Sequence, residues 1–170
     1  MSLVNGLPAH VLLVHFVIVL VPLSALALVI CAVWPQAARR LGVVLPLLAL
    51  ATLASVPLAS DAGEWLERHV PSTSLVRRHA ELGDGLLPWA LGLFVLAAGV
   101  WWMARRAQPQ EAEAGSGRSL KLIRIATMVL SLVVAVGAVV DVYRIGDSGA
   151  KAAWHDGYSK TATGPGGDGD

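Results

Sequence analysis

Along the chain, long apolar stretches alternate with shorter polar breaks, and the length of the apolar stretches is the informative quantity. Runs near 9–34, 41–59, 86–104 and 122–145 hold few charges, and each is long enough for a helix rising about 1.5 Å per residue, which needs roughly 20 residues to cross hydrocarbon. The pattern predicts an all-α, polytopic membrane protein, a four-transmembrane-helix bundle forming one domain over 1–160. Ala, Gly and Ser recur inside the runs and suit close packing of membrane helices. Pro22, Pro46, Pro57 and Pro88 are expected to kink or cap their helices, with Pro22, in mid-span, the kink.

The polar breaks differ from one another. "ARRAQPQEAEAGSGRSLK" and the tail "TATGPGGDGD", residues 161–170, have Pro, Gly, Ser and acidic content that cannot bury a core, and are expected to be a mobile loop and a disordered end. "SDAGEWLERHVPSTSLVRRHAELGDG" has two helix-friendly pieces, "DAGEWLERH" and "LVRRHAELGD", separated by Pro71. It predicts a short helical extracytoplasmic loop at the membrane surface.

Basic residues orient the bundle. Arg39 and Arg40 flank the first hairpin, and Arg105, Arg106, Arg118, Lys121 and Arg124 flank the second, so both of these loops are expected on the cytoplasmic side of the cell membrane and both termini outside. The first run lacks a basic stretch before it and exceeds the roughly 7–15 apolar residues of a cleaved leader, so it is expected to remain as a helix.

Composition agrees with the pattern and narrows the function classes. The 170 residues are 55% hydrophobic and 15% charged, with mean hydropathy +0.63. This is far from an ordinary soluble domain and makes the lipid bilayer the first partner. A net charge of +1, without aromatic residues interleaved among basic ones, excludes nucleic acid. Cys31 is the single cysteine, so one chain can form neither a disulfide nor a cysteine-based zinc or iron–sulfur centre. There is no Gly-rich phosphate loop, HExxH, GxSxG or CxxCH, which leaves nucleotide and hydrolytic chemistry without a foothold; whether the protein is an enzyme stays open.

Span placement then gathers the polar residues. His10 opens the first run and His15 lies about 7.5 Å deeper. The second run delivers Ser60, Asp61 and Glu64 to the same end, the third is preceded by His79, Glu81 and Asp84, and the fourth brings Asp141 back to that level. Imidazoles and carboxylates together can ligate a transition metal, relay protons or form a hydrogen-bonded plug, and an ionisable group in a span is a functional candidate because burying it is costly. His10, His15 and His79 are therefore the candidate cofactor ligands, with Asp61 and Asp141 as further candidate metal ligands or as groups that orient an imidazole. His10 and His15 stand about 140° apart on a helix, so they address different neighbours. The bland alternatives are interfacial or helix-bridging imidazoles, a solvated face for His79, loop positions for His69 and His155, and an Asp141–Arg144 ion pair along one helix. Trp34, Trp65, Trp89, Trp101, Trp102 and Trp154 read as interfacial anchors.

The stretch "NGLPAHVLLVHFVIVLVPL" resembles the opening of a family of small bacterial membrane proteins, domain of unknown function 2231, which reads like Gly-x-Pro-x-His, then x-x-x-x-His-Phe-Pro-Ile. His10 and His15 fall on its two histidines, and Val17 stands where the family has proline. "SDAGEWLERHV…VRRHAELGD" is similar to the family's stretch after the second span, with His79 on its histidine, and "RIGDSGAKAAW" is similar to a Gly-His-x-Gly-Ala-like segment, with Asp147 where a histidine often stands. The resemblance implies a four-helix membrane fold, and through relatives joined to electron-transfer domains it adds a redox role to the expectations.

Two functions of different class follow. One is an accessory or scaffold membrane subunit whose polar end packs against a membrane protein partner or a second copy, with the histidines as hydrogen-bond links. The other is a haem- or metal-binding membrane redox protein in which His15, with His79 or His10, ligates haem b or a transition metal.

Overall fold

The structure, a computed structural model, describes residues 3–4, 6–106 and 117–154. A two-stranded hairpin, β1 (Leu3–Val4) paired antiparallel with β2 (Leu7–Pro8), turns at Gly6, whose φ of 81° is glycine territory. Six helices follow among the described residues: α1 (Ala9–Val33), α2 (Pro35–Leu41), α3 (Val44–Glu67), α4 (Ser74–Asp84), α5 (Leu86–Arg106) and α6 (Gly117–Trp154). Four long apolar helices, α1, α3, α5 and α6, have the length and composition to cross a membrane.

Local chemistry sets the helix ends. Trp34 is extended, with φ −111° and ψ 102°, because the residue before a proline is pushed out of the helical region, and Pro35 then opens α2 at its first position, where no N–H is needed. α2 stops at Gly42, whose φ is 52°. Thr73 caps α4, its hydroxyl accepting from the Val76 N–H at 3.2 Å. Pro22 and Pro57 lie inside α1 and α3, which continue through them.

Some elements depart from the sequence expectation. The second membrane helix continues past Ala59 to Glu67, so "DAGEWLE" extends α3 and is not a separate surface helix; nothing in that stretch breaks a helix before Pro71. The expected surface helix after Pro71 is present as α4. α2 was not foreseen, although a proline at its start and a glycine at its end mark it. α6 runs unbroken for 38 residues, about 57 Å at helical rise, well beyond the apolar run that predicted it. The loop at 107–116, the tail at 161–170 and His155 lie outside the described residues.

α1 packs between α3 and α6, α5 closes the ring between α3 and α6, and α1 and α5 also meet across the diagonal. α2 packs against α1 and α5 at one end, and α4 lies on α6 and α3 at the other, where α1 begins and α6 finishes. Each spanning helix contributes a stripe at three- and four-residue spacing. In α1 it is Val17, Val21, Ser24, Ala25, Leu28, Cys31 and Ala32; Leu45, Ala49, Thr52 and Val56 belong to α3, Ala90, Leu93, Ala97 and Val100 to α5, and Ser131, Ala135, Ala138 and Val142 to α6. Between lipid-solvated helices the driving terms are close packing and interhelical hydrogen bonds rather than removal of apolar surface from water. The alanines allow the approach, and Ser24 and Thr52 supply a buried α1–α3 bond of 2.6 Å between hydroxyls. Phe16, Val19, Leu26, Leu47, Val95 and Val133 face outward and exposed, as a hydrocarbon surround requires.

Candidate histidine site

Two of the predicted histidines meet at the end where α1 begins. His10, in the first turn of α1, and His79, in the middle of α4, have ring centroids 6.1 Å apart with planes at 82°. Both are half-buried. His10 Nδ1 reaches across to the Ala59 carbonyl of α3 at 2.9 Å. His79 Nδ1 reaches across to α6, to the Ile145 carbonyl at 3.1 Å and the Ser148 hydroxyl at 3.0 Å. Ser148 itself donates to the Ile145 carbonyl at 2.8 Å, so its oxygen accepts from the imidazole.

These partners settle the tautomers. A carbonyl can only accept, so Nδ1 carries the proton in both rings, and in the neutral imidazole the lone pair lies on Nε2. The site thus holds two interhelical histidines, each anchored through one nitrogen. His79 lies on α4, outside the spanning helices, and its pKa is lowered from the ordinary histidine value by burial and by the nearby His10, with the bond to Ile145 pulling weakly the other way.

Glycines make room for both rings. A Cβ at Gly63 of α3 would stand 3.0 Å from His10 Nδ1 and 3.1 Å from its Cε1, and a Cβ at Gly149 of α6 would stand 2.9 Å from His79 Cε1 and 3.2 Å from its Nδ1. Ala59, Gly63, Ser148 and Gly149 escaped the sequence reading. Their signal was present as small residues one helical turn apart in "ASDAG" and adjacent in "DSGA", at the level of the histidines.

The other candidates stand apart from this pair. His15 is exposed on α1, its Nδ1 donating to the Val11 carbonyl of its own helix at 2.6 Å. Asp61 is exposed on α3. Asp141 has a buried Oδ2 with no hydrogen-bond partner among the described residues, and Gly85 lies against it. Neither Asp61 nor Asp141 bonds an imidazole among the described residues; backbone carbonyls and Ser148 hold the two rings. Among the described residues no three His, Cys, Asp or Glu side chains converge as metal ligands. The ion pairs among these residues are Arg68–Glu64 and Lys151–Asp147, so Asp141 and Arg144 do not bond along α6. His69 stacks on Trp65 with ring centroids 4.0 Å apart and donates to the Trp65 carbonyl at 2.7 Å.

A family model described as "predicted membrane protein (DUF2231)" matches residues 6–162. No curated protein and no solved structure matches the chain.

Proposed function

The chain belongs to the DUF2231 family of predicted membrane proteins, and from that premise we propose that it is a multi-pass membrane subunit holding a transition-metal ion, bare or at the centre of a haem, with His10 and His79 as nitrogen ligands. The observation carrying this reading is the paired anchoring. A ligating histidine works through one ring nitrogen while its other N–H is held by a carbonyl or carboxylate, which fixes the tautomer and raises the basicity of the ligating atom. His10 and His79 both have that arrangement, from four different helices.

Spacing and donor number test the fit. Metal–nitrogen distances of about 2 Å put the centroids of two imidazoles sharing one ion roughly 4.5–6.5 Å apart, the widest when they stand on opposite sides. The observed 6.1 Å falls near the wide end. Two donors suit a haem iron, whose macrocycle supplies four more nitrogens, or an ion with open positions, whereas a structural zinc site needs about four protein ligands. Gly63 and Gly149 leave the rings their space, and Ala59, Ile145 and Ser148 hold them. Bound there, the group would supply one-electron redox chemistry.

The full chain purified in detergent is expected to show either a Soret band or a stoichiometric transition metal. Glutamine separates this reading from the scaffold one, because its amide can still donate a hydrogen bond between helices but offers no nitrogen lone pair to a metal. His10→Gln and His79→Gln should each lose the metal or haem while retaining helical content and monodispersity. The scaffold reading is favoured by the same bonds, which tie α1 to α3 and α4 to α6. It expects no metal in the parent protein and unchanged partner co-purification in both variants, and that outcome would overturn the ligand assignment.

A further inference from the structure

The opposite end of the bundle carries cations without described counter-charges. Arg39 and Arg40 lie on α2, Arg105 and Arg106 close α5, and Lys121 and Arg124 begin the membrane-facing part of α6. Among the described residues no Asp or Glu lies at this end. Arg105 and Arg106 rest over the rings of Trp101 and Trp102, 5.3 and 4.3 Å from the centroids, and Arg124 reaches the Val33 carbonyl at the end of α1, 3.4 Å away. Trp34, Gln36, Ala37, Arg40 and Leu41 line an open groove of about 530 Å³.

We propose that this groove binds an anionic glycerophospholipid, its phosphate at Arg40 and its acyl chains running down the exposed apolar surface of α1 and α3. Charge complementarity selects the headgroup, since basic pockets at helix ends recruit acidic lipids and zwitterionic ones gain no net attraction. A guanidinium offers forked N–H donors that match phosphate oxygens. The walls select a lipid over a free phosphate. Trp34 and Leu41 give the groove apolar sides, and Val33, Val43, Val44 and Leu47 continue an exposed apolar surface from it. Position agrees, because α2 follows directly on the end of a spanning helix and so lies at headgroup level.

The test is lipid retention and thermal stabilisation of the full chain in neutral detergent, with added phosphatidylglycerol, phosphatidylcholine or soluble glycerophosphate. Phosphatidylglycerol should be retained and should raise the melting temperature, and the other two should not. Arg40→Gln should weaken retention about fivefold, the loss expected from one cation near a charged surface, while Arg77→Gln on α4 should leave it unchanged. Retention by the parent protein should also fall as salt rises, a measurement that needs no variant to fold. Equal retention of phosphatidylcholine, stabilisation by glycerophosphate alone, indifference to salt, or an Arg40→Gln variant that folds and binds normally would each overturn the proposal.

Discussion

Gly149→Ala probes how tightly the histidine site is built, and α6 provides its own control three residues away. A Cβ at Gly146 meets nothing within 4 Å, whereas one at Gly149 would lie 2.9 Å from His79 Cε1 and 3.2 Å from Nδ1. Ordinary carbon contacts are at about 3.5–4.0 Å, so the imidazole must move by several tenths of an ångström. It is also held by two bonds, to Ile145 and Ser148. Both variants gain the same helix preference of alanine over glycine, about 1 kcal/mol, and that gain cancels in their difference. What remains is strain or the loss of hydrogen bonds worth about 0.5–1.5 kcal/mol each, so Gly149→Ala should be less stable than Gly146→Ala by roughly 1–3 kcal/mol. Reversible unfolding in mixed detergent measures the gap, and repeating it in a His79→Ala background isolates its cause. There the gap should close. Equal stability of the two variants, or a gap that persists without the imidazole, would refute the close packing of His79 on α6.

Gly137→Ala should destabilise more than any other glycine substitution in the spans, by about 1–3 kcal/mol or beyond, since its Cβ would overlap the Trp89 ring and lie 2.8 Å from Cε3; a thermal melt against Gly99→Ala, which meets nothing within 4 Å, reads the difference. Ser24→Ala and Thr52→Val should each cost about 0.5–2 kcal/mol, and the double variant should cost less than their sum because the two hydroxyls bond each other; a double-mutant cycle measures the coupling. The apo chain should lose stability as pH falls below about 6.5: with the folded pKa of His79 lowered, the unfolded chain takes up a proton that the folded chain refuses. Unfolding curves between about pH 7.5 and 5 should therefore be flatter for His79→Gln.

The four spans were legible because hydrocarbon thickness dictates the length of an apolar run, and counting along them placed His10 and His79 at one end. Which histidines met was harder to read. α1 is apolar on every side, so hydrophobicity marks no inward face, and His15 looked better placed than His10 because it lies deeper. Small and core residues carry the missing signal. Val17, Ser24, Ala25 and Leu28 form the buried stripe, and stepping back seven residues from Val17 reaches His10, whereas His15 lies off that line. The helices outlast the apolar spans where hydropathy stops tracking helicity. "SDAGEWLE" and "GDSGAKAAW" are polar or small yet unbroken by proline, so α3 and α6 continue through them. The orienting groups were invisible for another reason, since the carbonyls of Ala59 and Ile145 belong to the backbone and any residue type would bring one.

The partners of the two histidines also impose an order on biogenesis. His10 can close on the Ala59 carbonyl once the first hairpin is in the bilayer, but His79 has no Ile145 or Ser148 to grasp until the last helix has been synthesised and inserted. A ribosome-released chain ending after α5 would hold half of the site, and the complete site would report that insertion is finished. Crosslinking of cysteines placed near His79 and Ser148 in chains arrested at successive lengths would time that last step.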